Sequence, residues 1–378
     1  MKIALVHDYL TQRGGAERVF ELMCKRFPQA DVYTSLYDPE RTIDLRNRVV
    51  NTTGLQNIPG ASRYFRLFAP LYFPAFRALD LQGYDLILSS TTSFAKAVRK
   101  ANHATHVCFC HNVTRFLWDT QTYLHGYREY QLIAPVLELV FKKLRALDLQ
   151  YSKEPDFYIA NSSTVAKRIQ HFYKRPATTI NYPIDEKRFC FSAEKEAYFL
   201  VSSRLLSYKR VDLIIEAFNQ LRWPLLITGE GPEQQRLQAM AKDNIQFLGH
   251  VSDQRRATLM ANARMVIVAA LEDYGLVPIE ANVSGTPVIA YGDGGVLDTQ
   301  QPGLTGLFFQ PQTAEALQQT LIKASQRSWN YHQIREHALT HFTERAFFSK
   351  LDTLLASSLE PSMARSLGLL AEPSYIQG

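Results

Sequence analysis

Cysteine is scarce: Cys24, Cys108, Cys110 and Cys190 are the four in 378 residues, too few and too scattered for a disulfide framework. Reduced thiols and a cytoplasmic setting are expected. Long apolar runs are missing too. None approaches the roughly 20 residues that a bilayer-spanning helix needs, and the apolar start of "MKIALVHDY" turns polar at His7–Asp8, too early for a signal peptide. There is no long Lys/Arg block, zinc-finger pattern or RNP signature, so nucleic acid is not the expected partner. The net charge of +6 is a mild excess of base, compatible with an anionic ligand or an anionic lipid surface. Repeats of solenoid length and low-complexity tracts are absent.

What the chain does have is a recurring series of short apolar run, turn and helical stretch. "KIALVHDYL", "TQRGG" and "AERVFELMCKRF" open it. Further runs include "YDLILSS", "HVCFCH" and "FYIANS", the last followed by serines suited to cap the helix "STVAKRIQHFY". A second series starts at "YFLVSSR" and continues through "PLLITGEGP", "IQFLGHVSD", "RMVIVAALEDYG" and "TPVIAYGDGG". Strands apolar throughout belong in a parallel sheet covered on both faces. Two such blocks, with 46% hydrophobic residues overall, predict two doubly wound α/β domains. Their ligand is expected beyond the carboxyl ends of the strands, in a cleft between the domains.

The segment "SRYFRLFAPLYFPAFRALDL" (Ser62–Leu81) breaks the pattern, with many aromatics, three arginines and two prolines. It reads either as an irregular helical pair packed on the first domain or as a basic aromatic surface for a headgroup region or an amphiphilic acceptor. The segment "YQLIAPVLELVFKKLRALDLQ" is ambiguous in the same way, with a kink expected at Pro135.

The strongest chemical signal is "LEDYGLVPIEANVSGTPVIAYGDGG". Glu272 is expected at the carboxyl end of a buried strand and Glu280 inside the next helix, two carboxylates able to accept hydrogen bonds from paired hydroxyls. The N–H groups of Tyr274, Gly275, Leu276 and Val277 would open that helix and face an anion; Asp273 joins them as a substrate-binding candidate. A solvated pair of glutamates favoured by the helix dipole is the bland alternative. In "SSRLLSYKRVDLIIEAF", Arg204 and Lys209 flank a loop before a helix, two cations suited to a diphosphate, with Arg210 expected in solvent. In "RGGAER", Gly14 and Gly15 would let backbone approach a phosphate, although a tight turn without ligand fits equally well. Because no GxGxxG is present, a dehydrogenase is disfavoured.

On these motifs the chain resembles a retaining glycosyltransferase of the GT-B fold, glycosyltransferase family 4, over nearly its whole length. Glu272 and Glu280 fit the family's E-x7-E, "SRLLSYKRVDLIIEAF" its diphosphate loop, "GEGP" the next loop, "HDYLTQRGGAERV" its N-terminal glycine loop, and "CHNVTRFLWD" a segment of similar form. Asp298, where Glu is usual, and "NYPID" depart from it. The resemblance implies two Rossmann-like domains facing across a cleft: an acceptor-side domain over 1–185 and a donor-side domain over 186–345. A C-terminal helix and tail, 346–378, would pack back on the first domain.

By the same resemblance, Arg204 and Lys209 would stabilise the leaving diphosphate without metal or other cofactor, Glu272 would contact the donor sugar, Glu280 the ribose, and main chain at His250–Val251 the base. The expected reaction moves a hexose, mannose from GDP-mannose or else the sugar of a UDP-sugar, to a saccharide or lipid-linked acceptor in cell-surface polysaccharide or glycolipid synthesis. The enzyme would work in the cytoplasm or on the inner membrane face. An epimerase, a phosphorylase or a non-catalytic nucleotide-sugar binder are the competing readings.

"HATHVCFCHN" (His103–Asn112) gathers three histidines and two cysteines. In a strand, residues on one face repeat about every 6.6 Å, so His106 and Cys110 stand roughly 13 Å apart, and His106, Cys108 and Cys110 cannot close one zinc site. His103 and His106 fall at the end of the strand away from ligands. His111 ends it on the ligand side, placed to hydrogen-bond a sugar hydroxyl.

Overall fold

The computed structural model describes residues 1–120 and 130–370, with the side chains of 130–137 outside the description. The chain divides into two units, one of residues 1–180 with 350 onward, the other of 181–349.

In the first unit, seven strands form one parallel sheet in the order β3-β2-β1-β4-β5-β6-β7. They are β1 (Ile3–His7), β2 (Asp31–Thr34), β3 (Val50–Thr52), β4 (Leu86–Thr91), β5 (Thr105–Cys110), β6 (Phe157–Ala160) and β7 (Thr178–Thr179). Every residue of β1 and β4 is buried, as the unbroken apolar runs require when helices cover both faces. Ser162 caps the helix Ser163–Arg168 by accepting from Val165 N–H at 3.2 Å. The helix Tyr130–Tyr151 runs through Pro135, and the kink expected there lies among the residues whose side chains are not described.

The second unit has a six-stranded parallel sheet, β10-β9-β8-β11-β12-β13: β8 (Phe199–Ser202), β9 (Leu225–Thr228), β10 (Ile245–Gly249), β11 (Met265–Val268), β12 (Val288–Tyr291) and β13 (Gly306–Phe309). Helices Val211–Leu221 and Ala314–Ser325 bury Leu213, Phe218, Leu317 and Leu321 against Phe199, Ile227 and Ile289. Each such side chain contributes about 1.5–3 kcal/mol on leaving water.

Both sheets are doubly wound, with strand order reversing between β1 and β4 and between β8 and β11. The breaks fall at 180/181 and 349/350 rather than at 185/186 and 345/346. Ile184 pairs with Thr343 in a parallel bridge, which draws "NYPID" into the second unit. The helix Glu344–Ser358 starts in the second unit and ends in the first. There Arg26 Nη2 pairs with Asp352 Oδ2 at 3.1 Å.

Ser62–Leu81 packs on the first unit along one side and leaves other side chains exposed. Phe65, Tyr72, Phe73, Phe76 and Leu81 are buried in the core of the first unit. Tyr64, Leu67 and Leu71 are 55%, 77% and 46% exposed, beside exposed Arg63 and Arg66. Among the described residues no helix is long and apolar enough to cross a membrane.

Candidate functional site

Ligands of doubly wound sheets bind beyond the strand carboxyl ends at the switch point. In the second unit, the chain leaving β8 carries Arg204 and then a single 3-10 turn, Ser207–Lys209. The chain leaving β11 carries Glu272. These two loops meet: Lys209 Nζ donates to Glu272 Oε1, and the side chains are only 16% and 23% exposed. Two residues singled out in separate motifs therefore form one ion pair. Arg204 is exposed, and its guanidinium has no hydrogen bond or ion pair among the described residues.

Glu272 does not end its strand. β11 stops at Val268, and Glu272 makes an isolated bridge with Gly294. The reason lies in the glycines: a Cβ on Gly294 would stand 2.4 Å from the Glu272 carbonyl oxygen, and one on Gly295 2.3 Å from that of Asp273. Without side chains the turn closes on this loop, and Gly295 N–H donates to Glu272 O at 2.8 Å.

The helix Leu276–Val283 follows, with Gly275 as its N-cap at φ +85° and no side chain capping it. Leu276 and Val277 thus open the helix as expected. The Tyr274 side chain holds the loop from within. Its ring is 4% exposed and its hydroxyl donates to Tyr182 O at 2.9 Å, which anchors the loop; Asp273 beside it is half-buried.

Glu280 is 7% exposed and both its oxygens face Arg256, at 2.5 Å from Nη1 and 3.4 Å from Nη2. Arg256, on the helix Asp253–Asn262, has no signal in the sequence: twenty-four positions separate the partners, and no periodicity links them. Arg210 is not simply solvated. Its guanidinium bonds Asp212 at 3.3 Å and Gln312 at 3.2 Å. At the end of β10, His250 N–H donates to Glu230 Oε1 at 3.3 Å, and Val251 is half-exposed.

In the first unit the switch point gathers groups that the sequence reading passed over. Asp8 is 1% exposed and accepts from the N–H groups of Thr92, Ser93, Phe94 and Ala95 at 2.6–2.9 Å. At Gly14, Glu17 folds back and accepts the backbone N–H at 2.8 Å. A Cβ there would lie 2.9 Å from Glu17 Oε2, so glycine makes room for this carboxylate. Gly15 is the first residue of the helix Gly15–Arg26. Burial pushes the Glu17 carboxyl up, but the hydrogen bond and charge of His7 outweigh it, with help from backbone and Gln12, and bring it down to about 2.

His111 follows β5 and is 5% exposed. Its Nε2 lies 2.7 Å from Ser90 Oγ, whose oxygen is also 3.0 Å from His7 Nδ1. Burial, then the charge of His7, lowers His111 to about 3. His106 is fully buried within β5 against Ser89 Oγ at 2.7 Å, and burial takes it to about 3 as well. His103 is exposed beside Asp85. Burial raises Cys108 to about 12 and Cys110 well above the usual thiol range, so both are packing residues. Among the described residues, no three His, Cys, Asp or Glu side chains gather as a metal would need.

The "NVTRFLWD" motif is held by a carboxylate. Asp148, fully buried, pairs with Lys96 Nζ at 2.6 Å and accepts from Thr114 Oγ1 at 2.8 Å, Trp118 Nε1 at 2.7 Å and Tyr173 OH at 2.8 Å.

Comparison with known families decides the affiliation. Residues 13–188 match the model of Glycosyltransferase Family 4, and residues 184–341 that of Glycosyl transferases group 1. The chain belongs to glycosyltransferase family 4. A GDP-mannose-dependent monoacylated alpha-(1-6)-phosphatidylinositol monomannoside mannosyltransferase of Corynebacterium glutamicum is 29% identical over 196 residues, 48% of this family 4 chain and 50% of that protein. The D-rhamnosyltransferase WbpZ of Pseudomonas aeruginosa is 25% identical over 212 residues, 51% and 54% of the two chains. The chain spans about half the length of the curated relatives it matches. Among solved structures, Anabaena Alr3699/HepE in complex with UDP covers 94% of this chain and 100% of its own at TM-score 0.67 and 19% identity. Sucrose-phosphate synthase from Thermosynechococcus elongatus reaches TM-score 0.69 at 18% identity, over 94% and 99%. The family 4 chain thus has the GT-B fold, whose two Rossmann-like units are the parallel sheets described above.

Proposed function

We propose that the chain is a retaining, metal-independent glycosyltransferase that moves a hexose from a nucleoside diphosphate sugar to a saccharide or lipid-linked saccharide. The carrying observation is the Lys209–Glu272 pair, set between exposed Arg204 and the uncapped start of the helix Leu276–Val283. As the bond from the anomeric carbon to the diphosphate oxygen breaks, negative charge grows on the leaving group. Arg204, Lys209 and the N–H groups of Leu276 and Val277 are positive or partly positive groups fixed in advance to meet it. Glu272 holds Lys209 in place and offers its other oxygen to a donor hydroxyl. The acceptor oxygen bonds the anomeric carbon on the face that the diphosphate leaves, and the acceptor's proton passes to the leaving phosphate oxygen. Glu280, oriented by Arg256, receives the ribose hydroxyls, and main chain at Val251 receives the base.

Mannose from GDP-mannose is the favoured donor, supported by the Corynebacterium relative; the likeness to UDP-bound structures concerns fold alone. Work at the cytoplasmic face of a membrane is supported by Leu67 and Leu71, exposed beside Arg63 and Arg66, which suit anionic headgroups. Cosedimentation with anionic but not zwitterionic vesicles, lost in Leu67→Glu, checks that part. The main test is a binding and turnover panel of GDP-mannose, UDP-glucose, UDP-galactose and UDP-N-acetylglucosamine, run with a chelator on wild type and Glu272→Ala. Turnover of one donor that survives the chelator and is lost in the variant is expected, with the product's anomer read by NMR. If no nucleotide sugar is bound or turned over, the proposal fails.

A further inference from the structure

Lys209 and Glu272 lie on the loops that leave β8 and β11, and a third loop bridges them. It is the turn between β13 and the helix Ala314–Ser325. There half-buried Gln312 accepts from Arg210 Nη1 at 3.2 Å through Oε1, and its Nε2 donates to Ala269 O at 2.8 Å. Arg210 follows Lys209 directly, and Ala269 stands three residues before Glu272. We propose that Gln312, acting with Arg210, is a positioning residue that holds the Lys209 and Glu272 loops at a fixed separation while the diphosphate leaves. The assignment rests on the reading of that pair as the donor site of a glycosyltransferase.

The turn that carries Lys209 needs such support. Its single 3-10 turn is closed by Lys209 N–H to Leu206 O at 2.9 Å and Arg210 N–H to Ser207 O at 3.2 Å. So short a piece has little rigidity of its own. Arg210 then stands at φ +52° and starts the helix Val211–Leu221 with no side chain capping it. A residue with a Cβ holds left-handed backbone at a cost, and its guanidinium is the anchor here, shared between Asp212 and Gln312. An amide suits the other end of the tie. A guanidinium only donates and a carbonyl only accepts, so the bridging side chain must carry both an acceptor and a donor. Glutamate would lack the donor, and lysine the acceptor. Gln310 provides the contrast: its Nε2 donates to Gly292 O beside the end of β12, so it fastens two adjacent strand ends instead. While Lys209 and Glu272 are paired, the ion pair itself joins their loops. When a departing diphosphate competes with Glu272 for Lys209, the Gln312 tie preserves the spacing, and its loss is felt in turnover more than in donor binding.

The test uses full-length protein and Gln312→Met, which keeps the bulk and removes both bonds. Hydrogen–deuterium exchange read by mass spectrometry should show the amides of 204–212 and of 268–273 exchanging about tenfold faster together. Gln312→Glu, which keeps the bond from Arg210 and gives up the one to Ala269, should loosen 268–273 and leave 204–212 as in wild type. In the transfer assay Gln312→Met lowers kcat about tenfold with KM for the donor unchanged. Wild-type exchange in both segments of Gln312→Met, a wild-type kcat, or a rise in KM that accounts for the lost activity overturns the proposal. If Gln312→Met does not fold, Gln312→Glu decides by the segment it loosens. The exchange measurement needs no nucleotide sugar, so failure of the donor panel is a separate result.

Discussion

Arg256→Ala would leave Glu280 buried without its guanidinium. With charge centres about 4 Å apart and an effective dielectric near 20, the lost attraction is about 4 kcal/mol. Water entering the vacated space returns part of it, since the Arg256 side chain is 21% exposed, and a net destabilisation of about 2 kcal/mol is expected. For a unit of this size, that lowers the midpoint of thermal unfolding by about 4–8 °C. Calorimetry of the four proteins in a cycle with Glu280→Gln measures it. The double variant should be more stable than Arg256→Ala alone, because an amide is cheaper to leave without a cationic partner than a carboxylate. A single variant within about 0.5 kcal/mol of wild type, or a cycle without coupling, would refute the view that Arg256 neutralises Glu280.

Glu17 carries a signed pH dependence. Its carboxyl sits at about 2 in the folded chain against 4.5 ordinarily, so its stabilisation is complete above the unfolded value and fades as pH falls towards 2. Acid unfolding curves should show Glu17→Gln losing roughly 3 kcal/mol less than wild type over that window; parallel curves would count against it. Thiol titration of native protein at pH 8 should find one fast cysteine, exposed Cys190, and three slow ones, the buried Cys24, Cys108 and Cys110. Two or more fast thiols would contradict the packing roles. Gly229 stands at φ +112° with the Ser203 carbonyl oxygen 2.0 Å from any added Cβ, so Gly229→Ala should cost about 3 kcal/mol or more in denaturant melts. Gly54→Ala, where a Cβ meets nothing within 4 Å, should stay near wild type; equal losses in both would defeat the steric argument.

The parts legible in the sequence were those governed by local pattern. The runs "IALVH" and "LILSST" could only be covered strands, and Glu272 and Lys209 stood at strand-to-helix turns where their type is chemically conspicuous. What stayed hidden depends on pairing across the chain. Nothing near Glu280 announces Arg256, and Asp148 lies in a helix of mixed composition that gives no hint of what converges on it. His7 looked like the polar end of a strand, and "RGGAER" drew attention to backbone freedom and not to Glu17, which accepts the Gly14 N–H. The cysteine-rich strand misled by density alone, since alternation separates its side chains and burial quiets them.

Asp148 has a consequence for how the first unit comes together. Its four donors arrive from separate stretches of chain: the turn after β4, the cap and the end of the helix Arg115–Trp118, and the turn ending at Tyr173. A collapsed intermediate that lacks even one of them holds a dehydrated carboxylate partly unanswered, a penalty of several kcal/mol. The residue therefore acts as an assembly checkpoint, disfavouring compact states in which the stretches have not all docked. After folding it has the converse effect: the segment just beyond His111, fastened at Thr114 and Trp118, cannot loosen piecemeal while the rest of the unit stays closed.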